Sequence, residues 1–127
     1  MTAVLLDTHA WVWSLSGDGR LSRPALAAID AADTVLVSPI TFVEIAQKVR
    51  LGKWPEMEPF IDGLAALLGE QGGSVAGFDP AVCIMAGTMA WSHRDPFDRL
   101  LAATALTYNL PLVSADAVFD GVVTRLW

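Results

Sequence analysis

Ala3–Leu6 is a run of four apolar residues that stops at Asp7-Thr8. A strand that is apolar on successive residues has no side to offer to water, so it belongs inside a parallel sheet covered on both faces. Parallel neighbours need crossover connections, normally helices. The rest of the chain reads as supplying them. Arg20–Ala32 has the pattern of a helix, with Ser22 near its cap and Pro24 in its first turn. Thr34–Val37 is a second short strand rich in β-branched residues; Ser38-Pro39 ends it and opens a helix to about Arg50, closed by Gly52. Glu56 to about Leu68 has amphipathic helical spacing, and Gly72-Gly73 breaks it. Ser74–Phe78 reads as a third strand and Asp79-Pro80 as the start of a helix over Ala81–Trp91. Asp95-Pro96 opens a helix to about Tyr108, Pro111–Ser114 is a fourth strand and Val122–Leu126 a fifth. Strands alternating with helices predict an α/β fold: a doubly wound parallel sheet with helices on both faces. No repeat, linker or composition shift divides the chain, so one domain over 1–127 is expected.

Composition narrows the function classes. With 54% hydrophobic and 17% charged residues, the chain is far from the disordered regime. Its strongest apolar windows, around Ile61–Leu68 and Ala81–Trp91, are too short to span a bilayer, and the N-terminal stretch lacks a basic leader. A soluble, cytoplasmic protein without a membrane partner is expected. The lone Cys83 sits in the apolar run AVCIMAG and reads as a core residue rather than a nucleophile. The net charge of −6 opposes nucleic-acid binding, which normally uses a basic face. Bound divalent cations would offset part of that charge.

The placement of acids makes that exception worth pursuing. Asp7 follows the first strand, Asp116 follows the fourth, Glu44 lies in the first two turns of the helix after the second, and Asp98 lies in the first turn of the helix opened by Asp95-Pro96. Ligands of open α/β sheets bind beyond the carboxyl ends of the strands, where these acids are expected to meet. Thr8, Ser38 and Ser114 place hydroxyls at the same corners, suited to holding a carboxylate or a water. Each acid alone has a capping reading: Asp is favoured at N-caps, Thr41 with Glu44 fits a capping box, and Asp95 with Asp98 is a weaker version. Capping does not require four acids to converge. Hard ions such as Mg²⁺ and Mn²⁺ prefer carboxylate oxygens, and without a cation such neighbours raise one another's pKa. A cation held there activates water and stabilises charge on a phosphodiester. His9 and His93 lack partners at zinc-ligand spacing, and no glycine-rich phosphate loop or nucleophile elbow is present.

The stretches LLDTHAWVW, SPITFVEIAQKVRLGKW, HRDPFDRLLAATA and LPLVSADAVF resemble, in order and spacing, the PIN-domain toxins of bacterial and archaeal toxin–antitoxin modules (VapC-like). The resemblance runs from Ala3 to about Phe119. It implies a PIN-like three-layer α/β/α fold with a short, mostly parallel sheet of four to five strands. It also implies Mg²⁺ or Mn²⁺ held by Asp7, Glu44, Asp98 and Asp116, single-strand-type cleavage of RNA, and a cognate antitoxin that covers the site. Val43 stands where an aromatic residue is common before the Glu, and Ser114 where Thr is common; both keep the chemistry. Asp95, three residues before Asp98, competes with it as a ligand but is needed as the cap before Pro96.

Three further expectations concern the surroundings. Arg99 is read either as a phosphate contact or as a structural ion pair. Lys48, Arg50 and Lys53 form the one basic cluster, read either as a guide for RNA or as a solvated helix end with a Glu44–Lys48 pair. Trp11, Trp13, Trp54 and Trp91 are read as base-stacking or packing residues, and Trp54, Met57, Phe60, Ile61 and Leu64 as one side of a groove for a partner segment or a homodimer seam. Rival functions fit less well. A dehalogenase-like phosphatase needs an acid at position 9, which is His9, and a phospho-accepting receiver needs a late Lys, whereas none follows Lys53. A flap-type nuclease would need room for an arch. A catalytically silent binding protein of PIN-like fold is opposed by the four intact acids.

Overall fold

The computed structural model describes residues 2–127. Its five strands, β1 (Ala3–Leu6), β2 (Thr34–Val37), β3 (Ser74–Val75), β4 (Leu112–Val113) and β5 (Arg125–Leu126), form one sheet in the order β3-β2-β1-β4-β5. All four pairings are parallel, with Leu6 beside Val37 and Val113. The helices are α1 (Thr8–Ser16), α2 (Arg23–Ala31), α3 (Pro39–Arg50), α4 (Leu64–Glu70), α5 (Pro80–Thr88) and α6 (Pro96–Tyr108). They lie on both faces, giving the three-layer α/β/α arrangement expected.

Alternation along β1 explains the two cores. Val4 and Leu6 point to one face, where Ala10, Trp11, Ala25, Ile45 and Leu64 cover them. Leu5 points to the other, against Leu101, Ala102 and Ala105 of α6 and Phe119. Both sides of the central strand are dry, which is why it contains no polar residue. Trp11 is a core residue, packed edge-on to Phe42.

Several boundaries depart from the sequence expectation. Residues 8–16 form α1, which was not foreseen: its buried positions, Thr8, Ala10, Trp11 and Val12, do not make one clean stripe, so no helical period stands out. The expected helix from Glu56 to about Leu68 splits into a 3₁₀ stretch, Pro55–Gly63, and α4, because Pro59 cannot donate within a regular α-helix. The helix expected to reach Trp91 ends at Thr88, where the Arg99 side chain takes the carbonyls of Ala86 and Met89. β3, β4 and β5 each pair over two residues, fewer than expected.

Candidate active site

Strand order sets the location. The chain runs outward from β1 to β2 and β3, then crosses back to place β4 on the other side of β1. Between β1 and β4 the two halves of the fold diverge, leaving a crevice beyond the strands' carboxyl ends. Asp7 leaves β1 there and Asp116 follows β4. The N-terminal turns of α3 and α6 bring Glu44 and Asp98 to the same place. A cleft of about 320 Å³ is lined by Asp7, Thr8, Glu44, Asp95, Asp98 and Asp116, together with His9 and Trp13. All four predicted acids line it, although the ligand atoms within 4.8 Å of one another among the described residues are those of His93, Asp95 and Asp98.

The capping and convergence readings of Asp7 are both correct. Its Oδ1 accepts a 2.8 Å hydrogen bond from the Ala10 amide, capping α1. Burial pushes its pKa from 3.8 up to about 6; the Ser114 hydroxyl and the Ala10 amide lower it, and the charges of Glu44 and Asp98 raise it further. Glu44 is no capping-box residue, because Ser38 caps α3 and Thr41 lies inside the helix. Instead the buried Thr8 hydroxyl donates to Glu44 Oε1 at 2.6 Å, and the Thr41 hydroxyl lies 3.2 Å from Thr8 Oγ1. A hydroxyl has one proton, so Thr8 gives it to the carboxylate and receives Thr41's. Lys48 Nζ lies 3.2 Å from Glu44 Oε2. Thr8→Val, which keeps shape but strands the Thr41 hydroxyl, is expected to cost about 1–2 kcal/mol in a denaturant titration. A smaller loss would mean that water replaces the bond.

Asp95 caps α6 through the amides of Phe97 at 2.8 Å and Asp98 at 3.4 Å. Asp98 Oδ2 lies 2.7 Å from His93 Nε2. Burial raises the Asp98 pKa most; the His93 hydrogen bond opposes it, while the charges of Asp95 and Asp116 reinforce it. Asp116 is exposed, accepts from the Val118 amide at 3.0 Å and donates its own amide to Ser114 Oγ at 3.1 Å.

Other expected roles change. Ser38 is fully buried and caps α3 through Ile40; it does not line the cleft. Arg99 is not half of an ion pair: its guanidinium donates to the carbonyls of Ala86, Met89, Trp91 and His93 at 2.6–2.8 Å, outside the cleft lining. Lys48 and Lys53 line a hollow beside Glu44 and Asp95, whereas Arg50 lines neither hollow nor cleft. Although His93 lacks partners at zinc-ligand spacing along the sequence, the fold brings one nitrogen of its ring and oxygens of Asp95 and Asp98 within 4.8 Å of one another. No periodicity signals that contact; the five-residue reach from His93 to Asp98 closes only because the segment folds back over the start of α6. His9 lies between Trp13 and Trp54, with ring centroids 5.4 Å and 5.1 Å away. Burial and the nearby Lys48 lower its pKa, which keeps the ring neutral at pH 7.

The family model for the PIN domain matches residues 4–123. The chain belongs to the PIN-domain family. Among curated proteins this PIN domain is 33% identical over 117 residues to Ribonuclease VapC22 of Mycobacterium tuberculosis, covering 91% of this chain and 88% of that one. Its fold matches a chain of VapBC-1 from nontypeable Haemophilus influenzae with a TM-score of 0.68 at 17% identity, covering 98% and 96% of the two chains. VapBC2 from Rickettsia felis bound to a promoter DNA fragment gives 0.65 at 17%, covering 98% and 97%. A toxin–antitoxin complex from Klebsiella pneumoniae gives 0.63 at 16%, covering 96% and 94%.

The donor set of this PIN domain fits a hard divalent cation. The cleft offers carboxylate oxygens from five acids, while Lys48 is the one lysine or arginine paired to any of them among the described residues. The raised pKa of Asp7 records the cost of ionising it there without a counter-charge. No helix among the described residues is long and apolar enough to cross a membrane.

Proposed function

We propose that this PIN domain is a divalent-metal-dependent endoribonuclease, the toxin of a toxin–antitoxin pair, and that Asp7, Glu44, Asp98 and Asp116 hold the metal. The observation that carries the reading is the convergence of these acids, from four separate segments, on one cleft at the β1–β4 switch point. Identity to a ribonuclease over most of the chain supports the substrate class. Mg²⁺ or Mn²⁺, the ions proposed, would supply Lewis-acid stabilisation of a phosphodiester and make water a better nucleophile. The protein's own part is positioning. Asp7 is fixed by the α1 amide it caps, Glu44 by Thr8, and Asp98 by its place at the start of α6, so the oxygens are arranged before substrate arrives. Lys48 and Lys53 beside the cleft give RNA phosphates a local positive approach on an otherwise acidic protein. The apolar hollow lined by Val12, Leu15, Met57 and Phe60 is the surface assigned to the antitoxin, and a cytoplasmic homodimer completes the proposal.

The test is cleavage of a labelled RNA by the full chain in parallel Mg²⁺, Mn²⁺ and EDTA arms. Cleavage in both metal arms and none with EDTA is the expected result. RNA binding without cleavage in every arm would leave a silent binding protein. Cleavage that persists in EDTA would overturn the metal site. Light scattering of the isolated chain, with and without its antitoxin, checks the assembly; a monomer that binds no antitoxin overturns that part.

A further inference from the structure

His93 lies on the irregular segment between α5 and α6, where a half-buried side chain would normally have several rotamers available. Three contacts restrict it. Its backbone carbonyl accepts from Arg99 Nη1 at 2.8 Å, within the same guanidinium clamp that holds Ala86, Met89 and Trp91. Its ring lies 5.0 Å from that of Trp91, which is in turn 5.9 Å from Phe119. Its Nε2 lies 2.7 Å from Asp98 Oδ2. An ionised carboxylate has no proton to give, so His93 Nε2–H is the donor and Asp98 the acceptor. The contact uses one oxygen of Asp98 and restrains rotation of the carboxylate.

We propose that His93 is a positioning residue for Asp98: its ring N–H orients the carboxylate toward the cleft, and the Arg99 clamp with the Trp91 ring holds the imidazole in place. The proposal rests on the reading of Asp98 as a metal ligand. An imidazole–carboxylate hydrogen bond of this kind lowers the reorganisation needed when a cation binds. Such partners typically change metal affinity by about 10–100-fold. Arg99 therefore acts on the site although its head group lies outside the cleft lining. Sequence order disguises this, because the cation next to Asp98 in the chain faces carbonyls while the histidine five residues earlier makes the contact.

The test is calorimetric titration of Mn²⁺ into the full-length wild type, His93→Ala, His93→Gln and Asp98→Asn, with the melting temperature of each metal-free protein recorded alongside. The expected result is a 10–100-fold weaker Kd for His93→Ala with an unchanged metal-free melting temperature, and recovery of most of the affinity in His93→Gln, whose amide keeps an N–H donor. Wild-type affinity in His93→Ala overturns the proposal. Equal loss in His93→Gln and His93→Ala, with the fold intact, also overturns it, because the imidazole itself would then be required. A drop in metal-free melting temperature that parallels the affinity loss would make His93 a general structural residue and sink the idea. Undiminished Mn²⁺ binding by Asp98→Asn would remove the ligand reading itself, and the positioning role with it.

Discussion

Asp7→Asn is expected to lower RNA cleavage by about a hundredfold or more while making the metal-free protein more stable at pH 7. The two effects have one cause. Asn keeps the side-chain oxygen that accepts from the Ala10 amide, and Asn and Asp are equivalent N-caps, so α1 is retained. What disappears is a charge in a crowded acidic cleft. In the wild type the Asp7 pKa rises from 3.8 to about 6 on folding. Below pH 3.8 the carboxyl is protonated folded or unfolded. Between 3.8 and about 6 the folded state retains a proton that the unfolded chain has released, so stability falls as pH rises through this window. Above it the loss is complete, at about 3 kcal/mol. The variant lacks this component, so the wild-type-minus-variant stability difference should decline across the window and then level off. Because Asn also pays for desolvation, a gain of about 1–3 kcal/mol at pH 7 is expected in denaturant titrations. Added Mg²⁺ or Mn²⁺ should raise the wild-type melting temperature more than that of Asp7→Asn, since binding to the folded state repays the strain. Equal metal shifts in the two proteins would contradict the proposed site.

Arg99→Met is expected to have the largest effect on stability, about 3 kcal/mol or more. The guanidinium makes four hydrogen bonds of 2.6–2.8 Å to carbonyls of Ala86, Met89, Trp91 and His93; the Met89 carbonyl also accepts from the Trp91 amide at 2.9 Å, whereas the other three lie at a helix end and an irregular segment that give them no backbone donor. Each is charge-assisted, and Met removes every donor while filling a similar volume. Arg99→Lys should recover only part of the loss, because a single ammonium cannot span four acceptors arranged around a planar fork. Denaturant titration measures both. If Arg99→Met unfolds within about 1 kcal/mol of the wild type, water replaces the clamp and the segment is held by packing alone.

Much of the site was legible because acids and strand ends are adjacent in the chain. Asp7 abuts β1 and Asp116 is three residues past β4, so the rule for parallel sheets places both without knowledge of side-chain contacts. Glu44 and Asp98 followed from helices opened by Ser38-Pro39 and Asp95-Pro96, both of which begin where the sequence places them. The failures share a different character. Arg99 stands beside Asp98 in sequence yet turns away from it, since neighbours on a helix point about 100° apart. Ser38 faces inward, where its hydroxyl is consumed by a cap. The pairing of His93 with Asp98 depends on a loop path that no periodic pattern encodes.

The sequence by itself determined the layered α/β fold and its central strand, because an unbroken apolar run such as Ala3–Leu6 is stable only where both faces are covered. It also determined which acids leave the sheet at its carboxyl edge, since a strand's end fixes where the next residue must lie. Only the tertiary structure decided which polar side chains serve those acids. Thr8 for Glu44 and His93 for Asp98 are contacts between elements, set by the angle at which α1, α3 and the α5–α6 segment pack around the crevice. Hydrogen bonds of that reach depend on positions to a fraction of an ångström, and local sequence carries no record of such distances.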